Sequence, residues 1–263
     1  MAMSDWIRSL FIERAGLFLK LLSLRWDRTE DLVNGMIGVL KKYGVTSGNL
    51  LDLCCGNGRV SIHMAKKGFK TVGVDISKAF VEDARKKAEE HMVSDLATFH
   101  VGDVRELRQV LGSKLQPFDV VMSVWTSIGY YSTTEDLNIF KQAREVAREG
   151  AILIVAQTTH SEYVSLKFAP TSYMEVGNMV LLESREYDPT RSHMATSWTF
   201  YEKQGEDLKF IDKVGFDLHV YSLSELCSLL SEAGWETVAT YGSFLTLQLP
   251  GPLGSINIVA KAK

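Results

Sequence analysis

A run of apolar residues ending in a glycine-rich turn constrains this chain more than any other feature. Leu50-Leu51-Asp52-Leu53 leads into Cys54-Cys55-Gly56-Asn57-Gly58, and Arg59 opens an amphipathic stretch. The order is strand, tight turn, helix. Glycines are needed there because the backbone must bend sharply and a ligand must approach it closely. Nineteen residues beyond Gly56 stands Asp75, at the end of a second apolar run over 70–75. A carboxylate at that place can accept both hydroxyls of a nucleotide ribose.

The alternation continues. Residues 59–67 read as a helix with Lys66 and Lys67 in its last turn and Gly68 after it. Ser77 is placed to cap a helix whose Phe80, Val81, Ala84 and Ala88 share one face. Strands are expected over 97–102, 118–124 and 151–157, with a helix over 134–149. The stretch 151–157 is almost wholly apolar, as a strand covered on both faces should be. Strands alternating with helices imply a parallel sheet with right-handed crossovers.

After Thr159 the pattern changes. Residues 179–187, 195–202 and 208–221 read as three successive strands, with turns at Asp188-Pro189-Thr190 and Gln204-Gly205. This is an antiparallel insertion. A helix over 224–233 ends at Gly234, and two strands follow over 236–241 and 255–260. Their connection holds Pro250-Gly251-Pro252 and no helix, so they should pair antiparallel. Ahead of the alternating region, residues 4–24 carry helical periodicity in Trp6, Ile7, Leu10, Phe11, Leu17, Phe18, Leu21 and Leu22. A second helix follows over 32–40, with Gly44 as its stop.

Composition narrows the class. With 46% hydrophobic and 23% charged residues the chain is a packed globular protein. A net charge of −3 gives no basic footprint for nucleic acid. Cys54, Cys55 and Cys227 form no C-x-x-C and no even framework, which points to reduced thiols and a cytoplasmic setting. The histidines fall at no zinc-ligand spacing, so no metal is expected. Asp5, Arg8, Glu13 and Arg14 interrupt any leader-like apolar run, and the greasiest early stretch, 16–24, is far short of the roughly 20 residues of a membrane span.

The glycine turn with a downstream acid also describes a nicotinamide site. Two residues separate the readings. The last position of G-x-G-x-x-G is Ser61, where Gly or Ala is required, and Asp52 stands just before the turn. A carboxylate repels a pyrophosphate but attracts the sulfonium and ammonium of S-adenosylmethionine. A third acid, Asp103, ends the third strand and is placed to bond an adenine amino group. Arg28, just before the second helix, is a candidate bidentate partner for a cofactor carboxylate.

On these residues the sequence resembles the class I, Rossmann-like S-adenosylmethionine-dependent methyltransferases. Leu51 to Gly58 matches the first motif, D-x-G-x-G-x-G, with Cys54 in place of its first glycine. Gly73-Val74-Asp75-Ile76-Ser77 matches the ribose motif and Gly102-Asp103-Val104 the adenine motif. Phe118-Asp119-Val120-Val121 matches the fourth strand, and Glu149-Gly150-Ala151 stands where P-G-G often precedes the fifth. The resemblance implies a seven-stranded, mostly parallel sheet with an antiparallel last strand. It implies one domain over 1–263: a helical lid (1–45), a cofactor-binding half (46–159), an inserted antiparallel cap (160–221) and a completing helix and strand pair (222–263). It implies cofactor contacts at Asp52, Cys54, Gly56, Asn57, Gly58, Asp75, Ile76, Ser77, Asp103, Val104 and Ser123.

The segment Trp125-Thr126-Ser127-Ile128-Gly129-Tyr130-Tyr131 looks like the F-S-S-x-G-Y of small-molecule N-methyltransferases. It implies substrate contacts at Trp125, Tyr130 and Tyr131, with Trp198 in the insertion as a further candidate. The [N/D/S]-P-P-[Y/F] motif of enzymes that methylate base amines is missing, which disfavours a nucleic-acid partner. The expected activity is methyl transfer to a small-molecule nitrogen or oxygen by in-line displacement, with S-adenosylhomocysteine as product. His160 or Tyr130 would serve as base where the acceptor arrives protonated. Action on RNA or protein, cofactor binding without catalysis, and NAD(P)-dependent oxidoreduction are the alternatives. Oligomeric state is not read from the sequence.

Overall fold

The computed structural model describes residues 5–112, 117–125, 127–251 and 254–263. Ser4, Thr126 and Pro252, each within a segment read above, lie outside the described residues. The N-terminal periodicity is not one helix but α1 (Asp5–Arg8), a π-helical turn (Ser9–Glu13) and α2 (Ala15–Ser23). Arg14 makes the break: it leaves helical geometry at φ −111°, ψ 20°, and its N–H donates back to the Ser9 carbonyl. The second helix is α3 (Thr29–Lys42).

The expected alternation follows: β1 (Gly48–Leu53), α4 (Arg59–Lys66), β2 (Phe69–Asp75), α5 (Lys78–Glu90) and β3 (Ala97–Val101). Ser77 caps α5, its hydroxyl accepting from the Phe80 N–H at 3.4 Å. A 3₁₀ turn (Val104–Glu106) and a short α6 (Leu107–Leu111), neither expected, lead toward β4 (Phe118–Val124). A capping box of Ser132 and Glu135 starts α7 (Thr133–Val146). This helix stops three residues short of the expected Glu149. Ala147 pairs with Phe118 of β4, so 147–150 open β5 (Ala147–Thr158) instead. Sheet pairing there overrides local helix propensity.

The chain continues with α8 (Ser161–Lys167), β6 (Thr171–Val176), β7 (Met179–Asp188), β8 (His193–Gln204), β9 (Asp207–His219), α9 (Leu223–Glu232), β10 (Trp235–Tyr241) and β11 (Ile256–Ala262). The large sheet has the order β10-β11-β5-β4-β1-β2-β3, and β11 alone runs antiparallel to its neighbours. This is the seven-stranded, mostly parallel sheet the sequence implied. The insertion is a four-stranded antiparallel sheet, β6-β7-β8-β9, with one strand more than expected.

Successive strand residues feed opposite faces of the large sheet. Leu51, Val121 and Leu153 enter one buried cluster with α7 and α9, and Leu50, Val120, Ile152 and Ile154 enter another with α3. Both faces are therefore covered, which explains the unbroken apolar runs. A third cluster joins Leu10 and Phe18 of the N-terminal helices to Leu181, Phe200 and Val214 of the insertion. The lid is thus buried against the cap, and both lie over the carboxyl ends of the parallel strands.

Candidate active site

Sheet order reverses between β1 and β4, so the segments leaving these strands part and open a crevice. A cleft of about 770 Å³ occupies it. The glycine turn after β1, the end of β2 and the segment after β4 form its base, and Ile7, Phe11, Phe18 and Leu22 of the lid form its roof.

The turn is built around Asp75. Its carboxylate accepts the Gly56 N–H at 2.8 Å and the Ser77 N–H at 2.9 Å, tying the end of β2 to the glycine turn. Cys54, in place of the family glycine, keeps a left-handed φ of 55°. Gly58 is required by packing as well as by its φ of 72°: a Cβ there would meet Phe99 at 2.8 Å and Ala84 at 2.9 Å. Ser61, the departure from the dinucleotide pattern, is fully buried and donates to Asp52 at 2.6 Å. Burial pushes both Asp52 and Asp75 up to about 6, against the lowering effect of these hydrogen bonds. Burial and the nearby carboxylates also raise the thiols of Cys54 and Cys55, which stay protonated wall groups.

Two features require a ligand. Asn57 is wholly buried on the cleft wall, yet among the described residues neither its Nδ2 nor its Oδ1 has a partner. An unpaired buried amide is costly, and polar ligand atoms would satisfy it. Arg59, also on the wall, is only 6% exposed; its Nη1 donates to the Thr29 hydroxyl at 3.0 Å. Among the described residues no carboxylate pairs with it within ion-pair distance. Burial and the neighbouring Arg25 lower it to about 10, so it stays cationic at neutral pH. The cleft therefore offers a buried guanidinium, a free amide and two carboxylates. That set suits the carboxylate, ammonium, ribose and adenine of an S-adenosyl ligand. Of the two acids, Asp52 opposes the pyrophosphate of a dinucleotide.

The structure brings Asp52, Cys54, Gly56, Asn57, Asp75, Ile76, Val104, Trp125, Tyr130 and Tyr131 around this cleft. Trp198 lies on an adjoining chamber that shares Phe18, Trp125 and Tyr130 with it. Other candidates are placed elsewhere. Arg28 is exposed, whereas Arg59 is buried on the cleft wall. Gly58, Ser77 and Ser123 support the walls without lining them. Asp103 caps the 3₁₀ turn and pairs with Arg105 at 2.7 Å; Val104 beside it reaches the cleft. His160 is 3% exposed and lines neither cavity. Its Nε2 donates to the Gly254 carbonyl at 2.6 Å, and its Nδ1 lies 3.0 Å from the Glu162 carboxylate and 3.3 Å from the Tyr163 backbone nitrogen at the start of α8. Burial raises the Tyr130 phenol above its ordinary range, which makes it a wall and donor rather than a base at neutral pH.

Sequence reading also missed Asp136. It is 1% exposed, on the first turn of α7, and burial pushes it up to about 7. It accepts from the Gly129 N–H at 3.0 Å and the Tyr221 hydroxyl at 2.8 Å. The Gly129 carbonyl in turn accepts from the His219 N–H at 2.9 Å, at the end of β9. The segment carrying Tyr130 and Tyr131 is thereby clamped between the core and the cap.

Comparison with known proteins agrees with this geometry. A family model described as a methyltransferase domain matches residues 46–213. The chain is 38% identical over 89 residues to the dTDP-3-amino-3,4,6-trideoxy-alpha-D-glucopyranose N,N-dimethyltransferase of Streptomyces venezuelae, covering 34% of this chain and 33% of that one. It is 36% identical over 66 residues to the tRNA (uracil-5-)-methyltransferase homolog A of Homo sapiens, covering 25% and 10%. Across such sequence relatives the matched region spans about half of the relative's length or less. The crystal structure of an S-adenosylmethionine-dependent methyltransferase from Clostridium acetobutylicum superposes with a TM-score of 0.75 at 15% identity, over 95% of this chain and 98% of that one, and so shows a shared fold. With its sheet order, its glycine turn and a family match over most of its length, the chain belongs to the methyltransferase-domain family, among the class I S-adenosylmethionine-dependent members.

Proposed function

We propose that the protein transfers a methyl group from S-adenosylmethionine to a nitrogen or oxygen of a small molecule. The observation that carries this reading is the pairing of two adjoining cavities, the cofactor-type cleft and the chamber beneath the cap, which meet at Phe11, Phe18, Trp125 and Tyr130. When bound, S-adenosylmethionine supplies an electrophilic methyl on a cationic sulfur that is already a good leaving group. The protein's share is then alignment and exclusion of water. Asp75 and the glycine turn hold the nucleoside end, and Asn57, Asp52 and Arg59 hold the amino-acid end. The lid side chains and Trp125, with the Arg25 guanidinium 4.2 Å over its ring, close the cleft to solvent. The cap makes the second cavity a covered chamber, which favours a small acceptor over a polymer.

Arg59→Gln should weaken S-adenosylhomocysteine about tenfold or more in calorimetry, the scale of a charged hydrogen bond. It should leave methylthioadenosine, which lacks the amino-acid end, unchanged. Arg28→Gln should alter neither. Equal loss for both ligands would remove Arg59 from the proposed role. Tight binding of NADPH with none of S-adenosylhomocysteine would overturn the whole reading.

A further inference from the structure

The inner face of the cap should be apolar throughout, because it packs on the lid. Along much of its length it is: Leu181 stands opposite Phe200, and Val214 opposite Trp198. The rule breaks at one place. Glu183 stands opposite Trp198, and Arg185 opposite Thr196, on the same face as Leu181 and bordering the chamber of about 640 Å³ beneath the cap. Residues directly opposed across antiparallel strands share a face, so these four form one patch.

Within the patch the hydrogen bonds are one-sided. The Ser172 hydroxyl donates to Glu183 Oε2 at 2.6 Å, and Arg185 Nη2 donates to the same oxygen. Arg185 Nη1 is turned to the Ser172 hydroxyl at 3.1 Å. Among the described residues none donates to Glu183 Oε1, which is the oxygen left for a ligand. The Thr196 hydroxyl, on a residue 5% exposed, and the Trp198 indole N–H are both buried without a partner among the described residues. An indole N–H can only donate, so its missing partner is an acceptor oxygen. Aromatic rings wall much of the rest, beside Leu10, Met194 and Leu218, with Phe18 stacked on Trp198 at 5.8 Å between centroids. Rings and a carboxylate together favour a cation. A wider opening, sharing Trp6 and Tyr130 with the chamber, is lined by the carboxylates of Asp5, Glu135 and Asp217. Arg105 in that opening is itself paired with Asp103 and Glu135. A phosphorylated molecule would approach against net negative charge.

We infer that the chamber takes a hydroxyl-bearing amine without phosphate, its ammonium on Glu183 and its oxygen on Thr196 and Trp198; for transfer the ammonium gives one proton to the Glu183 carboxylate, and the freed nitrogen lone pair forms the N–C bond as the S–C bond breaks and S-adenosylhomocysteine leaves. Arg185 is a positioning residue that holds the Glu183 carboxylate. This inference rests on the methyl-transfer reading above and narrows its acceptor to an amine.

Three probes of one shape test it: phenylethanolamine, phenylethanediol and mandelate, which differ only in carrying an ammonium, a hydroxyl or a carboxylate. Each is titrated by calorimetry into protein saturated with S-adenosylhomocysteine. The amine should bind about tenfold or more tighter than the diol, and mandelate weakest. Glu183→Gln should erase the preference for the amine, and its unchanged S-adenosylhomocysteine affinity would show that the variant is folded. Equal binding of the three, tightest binding of mandelate, or an amine preference that survives Glu183→Gln would overturn the inference. So would the absence of amine binding to the loaded protein. Failure of the wild type to bind S-adenosylhomocysteine at all would instead overturn the methyl-transfer reading.

Discussion

Gly129→Ala should cost about 2–4 kcal/mol of stability and remove acceptor turnover while S-adenosylhomocysteine still binds. Gly129 holds φ 87°, a left-handed conformation that strains alanine. A Cβ there would also overlap the carbonyl oxygen of His219. Relief requires moving either the segment after β4 or the end of β9. Both moves break the hydrogen bond between the His219 N–H and the Gly129 carbonyl, and the first also strains the bond to Asp136. Tyr130, which borders both cavities, would shift with the segment. The glycine turn after β1 lies on another strand and keeps its bonds to Asp75. Denaturant unfolding and calorimetry check the two halves of this expectation. A variant within about 0.5 kcal/mol of wild type would show that the clamp does not hold the site.

The second large effect is expected at Asp75. Asp75→Ala should weaken S-adenosylhomocysteine about a hundredfold, because it removes a charged acceptor and frees the backbone N–H groups of Gly56 and Ser77. pH gives an independent handle. Burial raises this carboxyl to about 6, and the carboxylate is the ligand-holding form. Affinity should therefore be full above pH 6 and fall as the pH drops through it, approaching tenfold per unit. In the ligand-free protein the sign reverses. A carboxyl whose folded pKa is raised above its unfolded value contributes most stability below about pH 4, and that contribution is lost as the pH rises through 6. Asp75→Asn should remove part of both slopes. Asp52, also raised to about 6, should carry a further part of both, and Asp136, raised to about 7, a further part of the stability slope. A binding profile flat from pH 5 to pH 8 would contradict the assignment.

Local patterns made the core legible. The glycine turn, Asp75 and the apolar runs of β1, β4 and β5 lie in short stretches whose spacing fixes their geometry. The strands of the cap were largely legible too, because turn residues separate them. What escaped was set by contacts distant in sequence. β6 is largely exposed and carries no clear apolar alternation, so it became a strand only by pairing with β7. Residues 147–150 left a helical pattern because β4 was there to pair with. Arg59 looks like any arginine opening an amphipathic helix; its burial depends on Thr29 of α3 and on the lid. The sequence pattern singles out Arg28 instead, which the fold leaves exposed. Asp103 matched a motif, but Arg105 two residues on pairs with it and with Glu135 of α7. Asp136 gave no signal because its partners, Gly129 and Tyr221, meet only across the finished fold.

The central claim is that the cleft and the capped chamber together move a methyl group onto a small molecule. The most direct measurement supplies methyl-labelled S-adenosylmethionine with a small-molecule extract and total RNA in one reaction, then follows the label. S-adenosylhomocysteine should form and the label should enter the small-molecule fraction, and both should be lost when Asp75 is replaced by alanine. Label recovered in RNA, or in the protein itself, would contradict it.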